Sequence, residues 1–323
     1  MNLTGKISLA NIPTPLQEVK IEGRKFLIKR DDLTGMELSG NKIRKLEYLL
    51  YQAKKEKADY IFTCGGEQSN HARATAIAAL KVGIKTKLFL WGEDSRLSDG
   101  NLFLDKMTGA EILYLNKKNY NYVNSIMQEE SELLSKKGKH VFVIPEGGST
   151  TTGIKGYISW VDELSKQMEL KNLDGILLAA GTGGTAAGIL TGLALHNLNI
   201  IVYVVNVLYP EDIIRRKILQ LAEGVNLEYK LNLVFNTHNL HILGGYSKEG
   251  YKNINKDKLE LIQKFFRETG ILLDPAYTGK GFCGFYENFI QKNKKTKILF
   301  LHTGGLFGVF GKRREYLSAA NIS

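Results

Sequence analysis

The chain has 323 residues, of which 43% are hydrophobic and only 5 are proline. This composition excludes a disordered or low-complexity chain, and the length suffices for two domains or one large α/β domain. The formal net charge is +11, from 44 Lys and Arg against 33 Asp and Glu. Because the basic residues are scattered and no aromatic-rich basic motif accompanies them, we predict a lysine-rich solvated surface and no nucleic-acid partner. An anionic small-molecule ligand fits the charge equally well.

Short apolar or β-branched runs alternate along the chain with amphipathic stretches. The runs predict buried strands at residues 26–29, 60–63, 86–90, 112–115, 140–144, 175–180, 200–207 and 297–302. The stretches predict helices at residues 42–54, 69–82, 120–137, 154–167, 186–196 and 257–269. This alternation is typical of βαβ units, so we predict an α/β fold with parallel sheets.

Two features of the sequence bear on its compartment. The first 16 residues lack the apolar core of a secretory signal, and the two cysteines, Cys64 and Cys283, predict neither a disulfide framework nor a paired-cysteine metal site. The most apolar segment, residues 175–195, is nearly long enough to span a bilayer. Glycines and threonines at 181–185 interrupt it, which favours a strand, a loop and a buried helix. We therefore predict a soluble cytoplasmic protein with no membrane partner.

Glycines cluster closely behind four of the predicted strands, at residues 65–66, 147–148, 181–184 and 304–305. In open α/β sheets, ligands bind beyond the carboxyl ends of the strands. Glycine at such places allows positive φ and a close approach of the backbone to a ligand. The four clusters together predict one shared pocket that holds a group of phosphate size.

The glycine-rich segment 181–185 follows an apolar strand and opens a helix. Free backbone N–H groups and the helix dipole make such a loop an anion site. With Ala186, the segment also matches the dinucleotide fingerprint, and a nicotinamide-dependent oxidoreductase is the alternative that this match raises. That alternative requires an acidic residue at the end of the next strand, where the chain has Asn206. A phosphate monoester suits the loop better.

Lys42 stands at the start of a predicted helix, which Ser39 or Asn41 would cap. The helix N-terminus and the neighbouring Arg44 and Lys45 disfavour an ammonium, so we expect the pKa of Lys42 to be lowered. A neutral lysine amine can form a Schiff base with a carbonyl compound.

Seven segments, in order along nearly the whole chain, carry a family resemblance. They are residues 13–16 (PTPL), 29–48, 65–71 (GGEQSNH), 144–149 (IPEGGS), 181–185 (GTGGT), 274–280 (DPAYTGK) and 302–305 (HTGG). In these segments the chain resembles the pyridoxal-phosphate enzymes of the D-cysteine desulfhydrase and 1-aminocyclopropane-1-carboxylate deaminase family. That family belongs to the tryptophan-synthase-β-like group, which is fold type II.

The resemblance implies an architecture. It predicts an α/β protein with two domains, each an open, twisted, mostly parallel sheet, with pyridoxal 5'-phosphate in the cleft between them. The large cofactor-binding domain would comprise residues 1–45 and 153–323, and the small inserted domain residues 46–152. The resemblance also implies a homodimer, because that state is usual in the family.

Each role implied by the resemblance falls on the residue at the matching position. Lys42 matches the Schiff-base lysine, Ser69 a residue beside the substrate carboxylate and α-carbon, and Tyr277 an active-site tyrosine; these three are the implied catalytic residues. The implied cofactor-binding residues are Lys42, Lys45, Asn70, Gly181, Thr182, Gly183, Gly184, Thr185 and Thr303. The implied substrate-binding residues are Ser69, Asn70, His71, Tyr246, Tyr277 and Thr278, and no metal ligand is implied.

The implied cofactor contacts are specific. Asn70 would hydrogen-bond the phenolic oxygen of the cofactor, and Thr303 would face its pyridine nitrogen. The loop 181–185 would cradle the phosphate, to which Lys45 would add a positive charge.

Two positions discriminate within the family. The deaminases carry glutamate where this chain has Thr278, and glutamine where it has His71. A carboxylate near the pyridine nitrogen keeps it protonated and strengthens the electron sink, whereas a neutral hydroxyl weakens it. The weaker sink still suffices when a good leaving group departs from the β-carbon. We therefore predict a carbon–sulfur lyase that converts D-cysteine to pyruvate, ammonia and hydrogen sulfide.

Two other reactions on the same scaffold stay open. One is the release of sulfite from L-cysteate, whose anionic side chain Lys248 would bind if it faces the site. The other is deamination of 1-aminocyclopropane-1-carboxylate, which offers no such leaving group.

Overall fold

The computed structural model describes residues 3–95, 98–250 and 253–319. The strands in these ranges are β1 (Leu16–Ile21), β2 (Arg24–Arg30), β3 (Tyr60–Gly66), β4 (Lys85–Trp91), β5 (Glu111–Leu115), β6 (Val141–Ile144), β7 (Gly175–Ala180), β8 (Ile201–Asn206), β9 (Leu240–Leu243) and β10 (Ile298–His302). The α-helices are α1 (Lys42–Lys55), α2 (Asn70–Lys81), α3 (Gly100–Met107), α4 (Lys117–Tyr120), α5 (Val123–Ser135), α6 (Thr151–Gln167), α7 (Gly184–Leu195), α8 (Glu211–Tyr229), α9 (Lys256–Thr269), α10 (Thr278–Phe285), α11 (Leu306–Phe310) and α12 (Arg313–Ala319).

The larger sheet has the strand order β1-β2-β10-β7-β8-β9. Only β1 runs antiparallel, paired with β2, and the other strands of this sheet are parallel. Because parallel strands end at the same edge, the glycine loops that follow β7 and β10 meet at one edge of the sheet.

The smaller sheet has the order β5-β4-β3-β6 and is parallel throughout. Its carboxyl edge carries the glycine loops that follow β3 and β6. The two mostly parallel sheets confirm the predicted α/β class. The strands of the smaller sheet lie between Tyr60 and Ile144, with those of the larger sheet before and after them in the sequence. The predicted domain limits, residues 46 and 152, stay a prediction.

The eight predicted strands all form, whereas β1 and β9 were not predicted. Both lie at an edge of the larger sheet, where one side of a strand has no neighbour. The burial of β1 follows the pattern of a half-exposed strand, with a single buried residue, Ile21. Edge strands carry polar residues and so lack the continuous apolar signal of a central strand.

The main hydrophobic core lies between the larger sheet and helices α6, α7 and α8. Every residue of α7 from Gly184 to Leu193 is buried. The helix is therefore apolar all round rather than amphipathic, as expected for a helix surrounded by protein. Its burial fixes the position of its N-terminus, where the glycine-rich loop 181–185 lies.

The apolar segment 175–195 forms β7, a loop and α7, as predicted. Within the described ranges, no helix combines the length and apolar character needed to cross a membrane.

Candidate active site

A cavity of ≈ 280 Å³ lies between the facing edges of the two sheets. Each of the four glycine clusters contributes a residue to its wall: Gly66, Gly147, Gly181 and Gly304 are examples. The first residues of α1 and α2 complete the wall. The prediction of one shared pocket is therefore confirmed.

The structure brings most of the predicted site residues to this cavity. Those that line it are Lys42, Lys45, Ser69, Asn70, His71, Gly181, Thr182, Gly183, Gly184, Thr185, Tyr277 and Thr303. Their placement together agrees with the predicted roles, which stay predictions at the level of individual residues.

Tyr246 and Thr278, both in the described part of the chain, lie outside the cavity lining. The Tyr246 hydroxyl donates to the Glu287 carboxylate, and its ring is buried in the core behind the larger sheet. The Thr278 hydroxyl donates to Asp274 Oδ1 at 2.6 Å and thereby closes the turn that precedes α10. Neither side chain lines the cavity, and the substrate contacts predicted for them stay a prediction.

Lys42 is the first residue of α1, and its Nζ donates to Asn41 Oδ1 at 2.9 Å. The side chain keeps partial access to the cavity, but the amine is surrounded by protein. This desolvation lowers the pKa of Lys42 to about 8, although the negative charges of Asp274 and Glu146 act to raise it. At neutral pH a fraction of this amine is therefore uncharged and nucleophilic.

The predicted direction of the Lys42 shift is confirmed, but one of the predicted causes, the charge of Arg44, is wrong. Arg44 points away from the cavity into a buried ion pair with Asp31, so its charge is neutralised there. Burial is the main cause, and the guanidinium of Arg73 is the cation that lowers the pKa further.

The predicted cap of α1 is also wrong. The hydroxyl of Ser39 donates to the carbonyl of Asp32 at 2.7 Å, and Asn41 Nδ2 donates to Thr185 Oγ1 at 3.0 Å. Asn41 stands at the N-cap position, but its side chain makes no cap hydrogen bond. The contact to Thr185 ties the start of α1 to the loop 181–185.

The loop 181–185 has the geometry of an anion cradle. The first hydrogen bond of α7 runs from Ala187 N to Gly183 O at 2.9 Å, so the preceding N–H groups have no partner within the helix. A Cβ at Gly184 would lie 2.5 Å from Ser149 Oγ and 2.6 Å from Lys45 Nζ. Only glycine leaves this space open next to a lysine amine.

Lys45 is fully buried beside that cradle. Its Nζ donates to Gly147 O at 3.1 Å and to Ser149 Oγ at 3.3 Å. Burial and the charge of Lys42 hold the pKa of Lys45 well below its usual value. Among the described residues, no carboxylate lies within ion-pair distance of Lys45. Two amines that donate to neutral oxygens, next to a helix N-terminus, fit a phosphate group.

Ser69, Asn70 and His71 form the start of α2. Ser69 caps the helix, since its Oγ accepts from Ala72 N at 3.2 Å. His71 Nε2 lies 2.9 Å from Thr63 Oγ1, and burial with the nearby Lys42 holds the pKa of His71 well below its usual value. His71 is therefore neutral at physiological pH. The amides at this helix start suit a carboxylate.

Tyr277 is held over the cavity by a carboxylate turn. Asp274 Oδ2 accepts from Tyr277 N at 2.9 Å and from Ala276 N at 3.0 Å. The Tyr277 ring centroid lies 5.7 Å from Lys42 Nζ, and its hydroxyl would be 3.2 Å from a Cβ at Gly181. Tyr277 is thus placed between the lysine amine and the anion cradle.

Other residues of the cavity wall were not predicted. They are Trp91, Lys117, Tyr120, Asn121, Glu146, Leu208 and Tyr209. Trp91 ends β4 and the others follow β5, β6 or β8, so the rule that ligands bind beyond the carboxyl ends of strands is the signal by which they were detectable. Burial raises the pKa of Glu146, whose Oε1 accepts from the Tyr120 hydroxyl at 3.4 Å.

Comparison with known proteins agrees with this geometry. A family model described as "Pyridoxal-phosphate dependent enzyme" matches residues 7–304. A Thermotoga maritima protein with the provisional name 1-aminocyclopropane-1-carboxylate deaminase is 40% identical over 96% of this chain and 99% of its own length. The bifunctional D-cysteine desulfhydrase/1-aminocyclopropane-1-carboxylate deaminase of Arabidopsis thaliana mitochondria is 37% identical over 94% of this chain and 79% of its own. A crystal structure of an ACC deaminase homologue superimposes with a TM-score of 0.89 and 35% identity, over 97% of this chain and 96% of that one.

Proposed function

The chain belongs to the pyridoxal-phosphate dependent enzyme family of fold type II, and from that premise we propose that it is a D-cysteine desulfhydrase. The reaction is a β-elimination of hydrogen sulfide, after which water hydrolyses the aminoacrylate product to pyruvate and ammonia. The observation that carries the proposal is the buried Lys42 amine, which shares one cavity with an anion cradle and with Tyr277.

The residues of the cavity fit pyridoxal 5'-phosphate. The amine of Lys42 would hold the cofactor covalently. Lys45 and the N-terminus of α7 would bind the phosphate, because both are positive and lack a protein anion in the described structure. Asn70 would donate to the phenolic oxygen, and the neutral Thr303 would face the pyridine nitrogen.

The cofactor supplies an electron sink for the electron pair that remains when the α-carbon loses its proton. The chain's own groups bind the substrate and move protons. The amides at the start of α2, capped by Ser69, bind the substrate carboxylate. Lys42, alone or through Ser69, removes the α-proton, since its pKa of about 8 suits a base near neutral pH. Tyr277 donates a proton to the departing sulfur.

Charge in the cavity supports elimination over ring opening. Of the described residues that line the cavity, Glu146 alone is a carboxylate, and it contacts Tyr120. The residue that would face the pyridine nitrogen is Thr303, whose hydroxyl is neutral. Thr278, where the deaminases carry glutamate, donates its own hydroxyl to Asp274. A neutral partner leaves the sink weak, which a thiolate leaving group tolerates.

The alternatives differ in support. The names of the Thermotoga and Arabidopsis relatives include deamination of 1-aminocyclopropane-1-carboxylate, so this reaction is the main competitor. Lys248 is exposed and does not line the cavity, so it offers no support for L-cysteate. The chain belongs to a pyridoxal-phosphate dependent family rather than to a nicotinamide-dependent one, so the comparison gives no support to the oxidoreductase alternative.

A substrate panel tests the proposal. Purified enzyme with D-cysteine, L-cysteine, L-cysteate or 1-aminocyclopropane-1-carboxylate is assayed for sulfide, sulfite, ammonia and keto acid. We expect sulfide and pyruvate from D-cysteine and none from a Lys42→Ala variant. Turnover of the cyclopropane substrate without activity on D-cysteine would overturn the substrate assignment. We also propose a cytoplasmic homodimer, which light scattering and cell fractionation test.

A further inference from the structure

Asn101 is a fully buried amide on α3, behind the wall of the cavity. Its Oδ1 accepts from Arg73 Nε at 2.9 Å. Its Nδ2 donates to the backbone oxygen of Gln68 and to Asn70 Oδ1, each at 3.0 Å. Every polar atom of the Asn101 side chain is therefore engaged within the protein.

The chemistry of these partners fixes which end of the amide is which. A guanidinium only donates and a backbone carbonyl only accepts, so Oδ1 must face Arg73 and Nδ2 must face Gln68. Nδ2 then also meets Asn70, and Asn70 must present its own Oδ1 to receive the bond. The Nδ2 of Asn70 is the end that remains for the cavity, whose wall Asn70 forms.

Arg73, the first member of this chain of contacts, is itself anchored. It is buried, and its two terminal nitrogens donate to the backbone oxygens of Glu37 and of Ser39, the latter at 2.7 Å. The guanidinium also lies 5.0 Å from the ring centroid of Phe307. These contacts hold the guanidinium in place, so that its Nε–H faces Asn101.

We propose that Asn101 is a positioning residue that holds the Asn70 amide with its N–H toward the phenolic oxygen of the cofactor. This inference rests on the proposed function. A donor at that place stabilises the ionised phenolic oxygen, whereas a carbonyl oxygen repels it and favours the protonated form. Asn101 thus fixes the orientation of the Asn70 amide from the protein side, before the cofactor binds.

Asn101→Asp tests the proposal by reversing the polarity of the contact. The new carboxylate accepts from Arg73 as before but also accepts from Asn70, whose amide must turn over to donate. Asn70 then presents oxygen to the cofactor. We expect the visible band of the bound cofactor to move toward the shorter wavelength of the phenol form. We also expect the affinity of the apoenzyme for pyridoxal phosphate, followed by quenching of the cavity residue Trp91, to fall about 10- to 100-fold.

Three further variants make the result specific. Asn70→Asp places an oxygen toward the cofactor directly, so its spectrum should match that of Asn101→Asp. Asn101→Leu removes the contact without reversing it and should give a smaller shift in the same direction; if Asn101→Asp does not fold, the shift of Asn70→Asp is the reference against which that of Asn101→Leu is compared. Asn124→Asp makes the same substitution at an exposed position of α5 and should leave the spectrum unchanged.

The outcomes separate the two levels of the argument. If native protein takes up no pyridoxal phosphate, the proposed function fails. If native protein shows the cofactor band but Asn101→Asp and Asn101→Leu keep it unchanged, the positioning role of Asn101 is wrong. A shift in Asn101→Leu as large as that in Asn101→Asp would likewise show that packing, rather than amide orientation, is the cause.

Discussion

The first turn of α1 carries three cations, Lys42, Arg44 and Lys45, in two contrasting environments. Lys42 and Lys45 are three residues apart and therefore share one face of the helix, which borders the cavity. Arg44 lies on the opposite face, where it donates to Asp31 and Glu163. Its neighbours raise the pKa of Arg44, whereas burial lowers the pKa of both lysines. Within one helical turn, therefore, the Arg44 face forms ion pairs that stabilise the fold. The face of Lys42 and Lys45 borders the cavity, where an anionic ligand would pair with the two amines.

The Arg44 side is saturated with hydrogen bonds. Asp31 accepts from Tyr157 at 2.6 Å in addition to Arg44, and Glu163 accepts from Lys29 at 2.6 Å. Removing one member of such a buried network leaves an uncompensated charge. The cavity side instead holds its cations with neutral oxygens. A buried cation that has no carboxylate as a hydrogen-bond partner therefore indicates a ligand site, whereas a buried cation with such partners indicates a structural ion pair.

Of the substitutions considered, Lys42→Ala should have the largest effect, on the activity that depends on the cavity. We expect turnover to fall at least about 10³-fold, because the nucleophile and base are lost together. The free energy of unfolding of the apoenzyme should hold or rise, since a desolvated cation is removed. Sulfide release and urea unfolding measure the two effects. Retained turnover would remove Lys42 from the chemistry.

Arg44→Met tests the opposite face. We expect a loss of about 3–5 kcal/mol in the free energy of unfolding, because Asp31 and Glu163 stay buried with one cation fewer. Urea denaturation of the apoenzyme measures it. Lys54→Met, at an exposed position near the end of the same helix, is the matched control and should change stability by less than about 0.5 kcal/mol. Equal effects of the two substitutions would contradict the contrast between the faces.

The pH dependence of cofactor uptake sharpens the assignment to Lys42. Because its pKa is lowered to about 8, the neutral amine predominates above that pH and is protonated below it. The rate of reconstitution should rise about 50-fold from pH 6 to pH 8 and level off above about pH 9, after a further gain of about twofold. Nα-acetyllysine, measured in parallel, corrects for titration of the cofactor and should keep gaining rate toward pH 10. If the protein rate also kept rising toward pH 10, as expected for Nα-acetyllysine, the lowered pKa of Lys42 would be refuted.

Lys45→Met gives the smallest effect. Inorganic phosphate should raise the melting temperature of the native apoenzyme, and its affinity should be about 10-fold weaker in the variant, because one charge-assisted hydrogen bond is lost. Lys117→Met, at an exposed place on the cavity wall, controls for net charge and should weaken binding less than about threefold. Equal losses would mean that phosphate senses only the overall charge.

The sequence supported those parts of the structure that have local signals. The central strands have continuous apolar runs, and the glycine clusters mark the strand ends, so the sheets and the shared cavity were predictable. Lys42 was detectable from its place at a helix start. Strands β1 and β9 were not, since β1 mixes polar and apolar residues and β9 has only four residues; both pair at an edge of the assembled larger sheet.

Contacts between distant segments were beyond sequence reasoning. The partner of Arg44, Glu163, is 119 residues away in the chain, so the neutralisation of that arginine had no local signal. The same limit applies to Tyr246, whose hydroxyl turns to Glu287, 41 residues away in the chain. A motif places a residue near a site, but the competing carboxylate decides where its side chain points.

The most direct test of the account is chemical trapping of the bound cofactor. Native enzyme loaded with pyridoxal phosphate is reduced with borohydride, digested and mapped by mass spectrometry. The account predicts a single stable cofactor adduct on the peptide that contains Lys42. An adduct on Lys45 or on a surface lysine instead, with Lys42 unmodified, would contradict it.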